Sequence, residues 1–453
     1  MKDGDGFKIT SDKSEIEKEI LGFFHPLFNG FHRPGPIGGD PVISDSTFVQ
    51  DSTFLDKFLT GLGRLSPQSK ADLEMPVELD GLLEVIMECE KEKSPGIDGL
   101  PYEFYQATAH VIGQKLMEVY QCILDRFHLT ESMEGGVTRL LNKVLGVPAV
   151  DELRPITLLC CDYKILTKYL TKRLIPVLPE VILSGQLASL EDSNILFGIT
   201  NLFSSIEYVN LKKIGAAIIA YDMFKAFDRV MVRFLTQVME AMGFGETFIK
   251  WVGMCHNNIT TRFILDKLSD TIKLMLMFSI RQGDPWSMVP YILYIEPLLL
   301  CLGRHLKALK GLQMASFNQV DEDFCDDINV ITENEDDFEV AVVIFREFDS
   351  VSGAILSRSK KTLVMGLGEW KDQQIWPLPW IKVEDQLKIL GFFVTPSSER
   401  TIVVNWERLV KKVSDVLISW RSRQLPSLRM RSESLPHQRF GTSPKCFQFC
   451  QGL

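Results

Sequence analysis

The stretch AAIIAYDMFKAFDRV, residues 216–230, runs small and branched residues straight into Asp222, with Lys225, Phe227 and Asp228 close behind. The apolar half reads as a buried strand. A carboxylate at the end of such a strand is costly unless a metal, a cation or hydrogen bonds compensate it. Residues elsewhere in the chain must say which.

At 453 residues the chain exceeds one ordinary core, which predicts roughly two to three domains or one multi-lobed enzyme. Hydrophobic residues at 45% and aromatics at 10% argue against disorder over most of it. No apolar run reaches the roughly 18 to 20 residues of a membrane span. The best, YILYIEPLLLCL at 291–302, is broken by Glu296 and Pro297. The polar opening MKDGDGFKITSDKSEIEKE has no signal-peptide core. Nine scattered cysteines favour reduced thiols over a disulfide framework, so a nuclear or cytoplasmic location is expected. Cys446 and Cys450 lack a following histidine at ligand spacing and read as a non-site. The net charge of −10 argues against coating nucleic acid by bulk charge and leaves a locally basic groove as the route to it.

Upstream, Ser11 caps a helical pattern with Ile16, Ile20, Phe23 and Phe24 on one face, before the linker-like HRPGPIGGDP. A helix is predicted near 78–92, then a Pro/Gly loop, then a helix from about Pro101. Between 160 and 178, Ile165, Leu166, Tyr169, Leu170 and Leu174 share a side, with Lys164, Lys168 and Lys172 opposite. That lysine stripe reads first as a solvated face and second as a phosphate contact. Downstream come a helix near 231–243, a β-prone segment with a central turn at 260–280 and RQGDPWS turning into a helix. DFCDDINVIT, a helix near 335–349, the strands KTLVMGL and LKILGFFV, and a basic amphipathic helix near 405–422 follow. The last 24 residues lose periodicity and read as a tail.

Two-metal phosphoryl transfer needs carboxylates held on rigid elements so that cations about 4 Å apart can act together. Asp222 and the pair Asp326-Asp327, in a turn between FC and INVIT, supply such a set. Taken singly, an Asp pair is most often a solvated turn, and Asp222 could pair with Lys225. Strand-Asp, then RQGDP before a helix, then an Asp-Asp hairpin is a far more specific order.

In that order the chain resembles the reverse transcriptase region of non-LTR (LINE-type) retrotransposon open reading frame 2 proteins, which copy element RNA into chromosomal DNA at a nicked target. The matching pieces are KSPGIDGLPYEFY (93–105), LRPITLLCCDYKILTKYLTKRLIPVLP (153–179), DMFKAFDRV (222–230), RQGDPWS with YIEPLL (281–299), FCDD (324–327), SGAILSRSKK (352–361), LKILGF (387–392) and NWERLVKKV with LPSLR (405–429). The resemblance spans about 12–430, FFHPLF resembling the segment that joins endonuclease to polymerase. It implies an α+β right-hand polymerase with an antiparallel palm sheet. The expected parts are a helical linker extension at 1–88, fingers at 89–205, palm at 206–370, partial thumb at 371–430 and a divergent tail at 431–453.

The resemblance further implies RNA-directed DNA polymerase activity with Mg²⁺, or Mn²⁺ in its place. RNA template, DNA primer and deoxynucleoside triphosphates are the implied partners, with no membrane. Asp222, Asp326 and Asp327 resemble the metal-binding triad. Phe227 matches the steric gate against a ribose 2′-hydroxyl, and Arg154 the fingers arginine that clasps the triphosphate. Gln282 and Gly283 match the loop where template and nucleotide meet, Lys360 the lysine that protonates departing pyrophosphate, and Leu390 with Gly391 the primer grip. On residue type alone, Phe227 could be core and Arg154 a helix cap.

Departures from the pattern accompany these matches. Phe324-Cys325 stand where Tyr-Ala is usual, and the acidic VDED precedes them. Ser279 occupies a glycine position and Trp286 a leucine position, while Lys143 is the one base left in the loop ahead of RPI. With no endonuclease ahead of residue 1 and a short thumb, the chain reads as truncated at both ends and partly degenerate. The alternative is therefore a catalytically inactive remnant of the same fold that acts at most as a binding protein.

Overall fold

The computed structural model describes residues 2–3, 6–7, 12–29, 31–33, 42–44, 50–142, 149–182, 195–257, 259–265, 271–277, 279–306, 317–318, 327–357, 362–389 and 391–421. Asp326, Lys360, Leu390, Lys143, the FC and VDED residues, Cys446, Cys450 and the tail lie outside these. The chain divides into two units, Met1–Ser398 and Glu399–Leu453.

Six helices matter for the first unit and the start of the second: α1 (Lys13–Asn29), α2 (Leu79–Glu88), α3 (Tyr102–Arg126), α4 (Cys161–Leu174), α5 (Met288–His305) and α6 (Ser398–Arg421). The main strands are β1 (Gly135–Asn142), β2 (Leu153–Leu158), β3 (Gly215–Asp222), β4 (Ile259–Ile264), β5 (Thr271–Leu276), β6 (Asp327–Thr332), β7 (Leu363–Gly368), β8 (Leu387–Ile389) and β9 (Phe392–Val394). The class is α+β.

Why AAIIAY is apolar throughout follows from its place at the centre of a five-stranded sheet. β3 pairs antiparallel with β6 on one side and β7 on the other. Phe317–Asn318 flanks β6 antiparallel, and Lys382–Val383 runs parallel to β7, so the sheet is antiparallel except at that edge. Ala217, Ile219 and Tyr221 enter the main core, where Tyr221 lies 4.8 Å from Phe345 of the helix Asp336–Ser352. Ala216 and Ile218 enter a second core formed with Leu202, Ile206 and Val209 of the helix Ile195–Lys212. Both faces being covered, a period-two alternation has no solvent side to report.

The second sheet has the order β2-β1-β4-β5, with β1 parallel to β4 and the other pairs antiparallel. α1 covers it: Phe24 and Phe28 lie 5.0 and 6.4 Å from Phe263 of β4. The helix with the longest apolar run, α5, is a core helix; Glu296 and Pro297 are buried inside it. Among the described residues no helix is long and apolar enough to cross a membrane.

Two expectations require correction. LKILGFFV is a hairpin, not one strand: β8 and β9 pair with Leu387 opposite Val394, and Gly391 sits at φ +76° in the turn. The turn lets Leu387, Ile389 and Val394 all reach the second core. The lysine stripe of α4 is a solvated face only toward its C-terminal end, where Lys172 is exposed. Lys164 is buried, donates to the Ser94 carbonyl at 3.1 Å and lies 4.8 Å from the Tyr102 ring. Lys168 lies 5.1 Å from the same ring, and Lys172 pairs with Glu84 and Glu88 at 3.0 Å. α2 and α3 cover the first half of that side of α4, so the Lys164 stem buries and its head is satisfied internally.

Lys164→Ala is accordingly expected to cost about 1–3 kcal/mol in urea unfolding, and Lys172→Ala less than about 1 kcal/mol.

Candidate active site

The register of β3 against β6 sets Asp222 directly opposite Asp327. Opposed residues of an antiparallel pair have Cα atoms about 4.5–5.5 Å apart. Asp222 is half-buried and shares its face of β3 with Ile218 and Ala220. Past Asp222 the chain leaves the sheet as a tight turn held by backbone bonds. Ser357 N–H donates to the Asp222 carbonyl at 2.8 Å, and Phe224 N–H to the Ile355 carbonyl at 2.8 Å. Lys225 takes a left-handed φ of +47° and opens the single turn Ala226–Arg229.

That turn carries Phe227, half-buried, with its ring stacked on Tyr291 of α5 at 4.7 Å and 29°. Its carbonyl accepts the Ile280 N–H at 2.8 Å, and Val230 accepts Ser279 N–H at 3.2 Å, which fixes RQGDP beside the turn. From the loop, the Gln282 carbonyl accepts the Thr157 N–H of β2 at 2.8 Å. Gly283 has φ +105°, and a Cβ there would lie 2.6 Å from the Thr157 carbonyl oxygen, so no other residue fits. Arg154, half-buried, stands on the same strand, and the Lys225 ammonium donates to the carbonyl of neighbouring Leu153 at 2.9 Å. Asp222, Asp327, Phe227, Gln282, Gly283 and the Arg154 strand thus belong to one hydrogen-bonded assembly. Gly391 lies in the β8–β9 turn, exposed.

Behind RQGDP is a buried polar network that residue spacing alone does not disclose. Asp284 accepts from the Tyr163 hydroxyl at 2.7 Å and from Trp286 N–H at 3.1 Å. Arg281 lies over the Tyr163 ring at 4.5 Å and donates to the Glu134 carbonyl at 3.1 Å. Burial raises Asp284 above the ordinary carboxylate range, and Arg281 opposes that rise. Trp286 is fully buried, and its indole N–H donates to His256 Nε2 at 3.1 Å. Burial, with Arg281 nearby, lowers His256 to about 3, so the ring is neutral and accepts that bond. The signal in the sequence was the Arg and Asp flanking Gln282-Gly283; their partners lie far off in the chain.

Ser279 is buried with φ +146°, a region L-residues rarely adopt and glycine tolerates. Among the described residues one group of three potential metal ligands occurs, Asp98, Cys160 and Asp162, with ligand atoms within 4.8 Å of one another. It lies between the SPGIDG loop and the start of α4, and burial pushes Asp162 up to about 6. It shares no residue with the carboxylates that the motifs single out.

A central, largely antiparallel sheet that sets Asp222 opposite Asp327 is thus tied, through the Phe227 turn, to a Gln-Gly loop and an arginine-bearing strand in one α+β domain. The chain belongs to the reverse transcriptase (RNA-dependent DNA polymerase) family, which it matches over residues 144–394. It is 28% identical over 353 residues to a Transposon TX1 uncharacterized 149 kDa protein of Xenopus laevis, covering 78% of this chain and 25% of that protein. The chain therefore spans about a quarter of that relative's length. Family and relative together bear out the resemblance to non-LTR retrotransposon reverse transcriptases.

Ser279→Gly is expected to stabilise the protein by about 1 kcal/mol in thermal unfolding, by relieving that backbone strain. For His256 the folded value is depressed below the unfolded 6.5, so the unfolded state binds the extra proton and stability falls as pH drops from about 6.5 toward 3. His256→Gln, which keeps an acceptor for Trp286, should flatten that part of the stability profile measured by urea titration.

Proposed function

We propose that this chain is an RNA-directed DNA polymerase domain of right-hand architecture, derived from a non-LTR retrotransposon and working by two-metal nucleotidyl transfer. One observation carries the reading: the antiparallel register that opposes Asp222 and Asp327 at the sheet end where the Phe227 turn and the Gln282 loop converge. In this reading the five-stranded sheet, apart from its edge strand Lys382–Val383, is the palm within 206–370, fingers occupy 89–205, a partial thumb 371–430, and 1–88 is the linker extension.

Carboxylate oxygens are hard donors suited to Mg²⁺ or Mn²⁺, and two acids on paired strands fit that need. Asp222, Asp326 and Asp327 would hold the ions, which when bound ease deprotonation of a primer 3′-hydroxyl and offset charge on the leaving pyrophosphate. Arg154 binds the triphosphate through its planar fork. Phe227, backed by Tyr291, leaves no room for a 2′-hydroxyl and so selects deoxynucleoside triphosphates. Gln282 and Gly283 bring backbone close to the template base, Lys360 delivers a proton to pyrophosphate, and Leu390-Gly391 grips the DNA primer on its RNA template. Work on such templates places the protein in the nucleus or cytoplasm.

Primer extension on a primed RNA template with Mg²⁺ and deoxynucleotides should give product that Asp222→Ala and Asp326→Ala reduce by at least about 10²–10³-fold. Phe227→Ala should raise ribonucleotide use relative to deoxynucleotide by roughly 10- to 100-fold. Product unaffected by Asp326→Ala, or none from folded protein with either Mg²⁺ or Mn²⁺, would sink the catalytic reading and leave a remnant that binds without turnover.

A further inference from the structure

α1 lies outside the residues that match the family, yet it reaches the turn behind Asp222. Two cations flank Phe227 in sequence, and both contact α1. Arg229, 1% exposed, donates to the Leu27 carbonyl at 3.2 Å and to the Gly353 carbonyl at 3.3 Å. Leu27 is in the last turn of α1, and Gly353 is the left-handed cap that ends the helix Asp336–Ser352. One guanidinium thus faces the carbonyl ends of two helices, where orphan acceptors and the negative dipole pole favour a cation. The Lys225 ammonium lies 5.4 Å from the Phe23 ring while donating to the Leu153 carbonyl. α1 is itself fastened to β5 and the residue after it: Asn29 donates to the Met275 carbonyl at 3.0 Å, and Met277 N–H to the Phe28 carbonyl at 3.3 Å.

We propose that α1 is a positioning element of the nucleotide pocket, holding the turn that carries Phe227 through Arg229 and Lys225; the catalytic part of this rests on the polymerase reading above. Phe227 is gripped from one side by Tyr291. Its backbone position, however, is fixed on either side by residues whose side chains anchor on α1. Loosening α1 should therefore loosen the ring's placement and with it the discrimination between deoxyribose and ribose, before it affects the acids.

Hydrogen–deuterium exchange on the full chain tests the coupling without needing turnover. Lys225→Met is expected to speed exchange about tenfold at the Phe224 and Asp228 amides and in the second half of α1, leaving the helix Asp336–Ser352 unchanged. Phe23→Ala, at a half-buried ring, gives the same readout should Lys225→Met fold poorly. Unchanged protection at Phe224 and Asp228 while α1 loosens, or uniform loosening throughout, would overturn the proposal. In primer extension, Lys225→Met should cut the deoxy-to-ribonucleotide preference by roughly tenfold, with Lys225→Arg restoring it. A wild-type chain that extends primers, alongside a Lys225→Met variant with unaltered preference, refutes the pocket role while sparing the polymerase reading. A wild type that extends nothing removes that reading and its catalytic consequence, and the exchange experiment still decides the brace.

Discussion

The antiparallel pairing of β3 with β6 is the constraint on which the rest depends, because it alone brings residue 222 opposite residue 327. Register in a sheet is set by what each face buries, and a one-residue slip exchanges the faces. Here the two faces of β3 enter different cores, with Ile219 and Tyr221 in one and Ile218 in the other. A slip would drive Tyr221 toward the helix Ile195–Lys212 and away from Phe345. The backbone opposition of residues 222 and 327 is thus held by apolar packing several residues distant.

Around that pair the assembly is tied mostly through main-chain groups. The carbonyls of Asp222, Leu153, Phe227 and Gln282 each accept a bond from another segment. Those to Asp222, Phe227 and Gln282 come from backbone N–H groups and do not depend on side-chain identity, whereas the one to Leu153 needs Lys225. The Trp286 ring is accommodated because His256 offers its indole an acceptor in a dry site. At Ser279 the backbone demands a conformation and the side chain only adds cost.

Much of this was legible in the residues. The apolar run into Asp222, the turn residues that split 260–280 into β4 and β5, and the helix after RQGDPWS all follow from local pattern. The hairpin within LKILGFFV was not, because its turn depends on one glycine taking a left-handed φ that composition cannot announce. Lys164 misled for a different reason: periodicity separates apolar from charged sides but cannot tell that a neighbouring helix covers part of the charged one, while Lys172 stays exposed. Tyr163 and Asp284, 121 positions apart, share a bond whose existence only the fold reveals. The motifs nominated residues for the site; the network behind them needed three dimensions.

The parallel pairing of β1 with β4 carries a temporal consequence. Thr138 of β1 and Thr261 of β4 bond across 123 positions, whereas β1 and β2 form an antiparallel pair close in sequence. At a synthesis rate of roughly 5–20 residues per second, the β1 edge waits about 6 to 25 seconds on the ribosome for the partner that covers it. A nascent chain with one strand edge left unpaired for that long presents bare N–H and C=O groups on which another chain can pair.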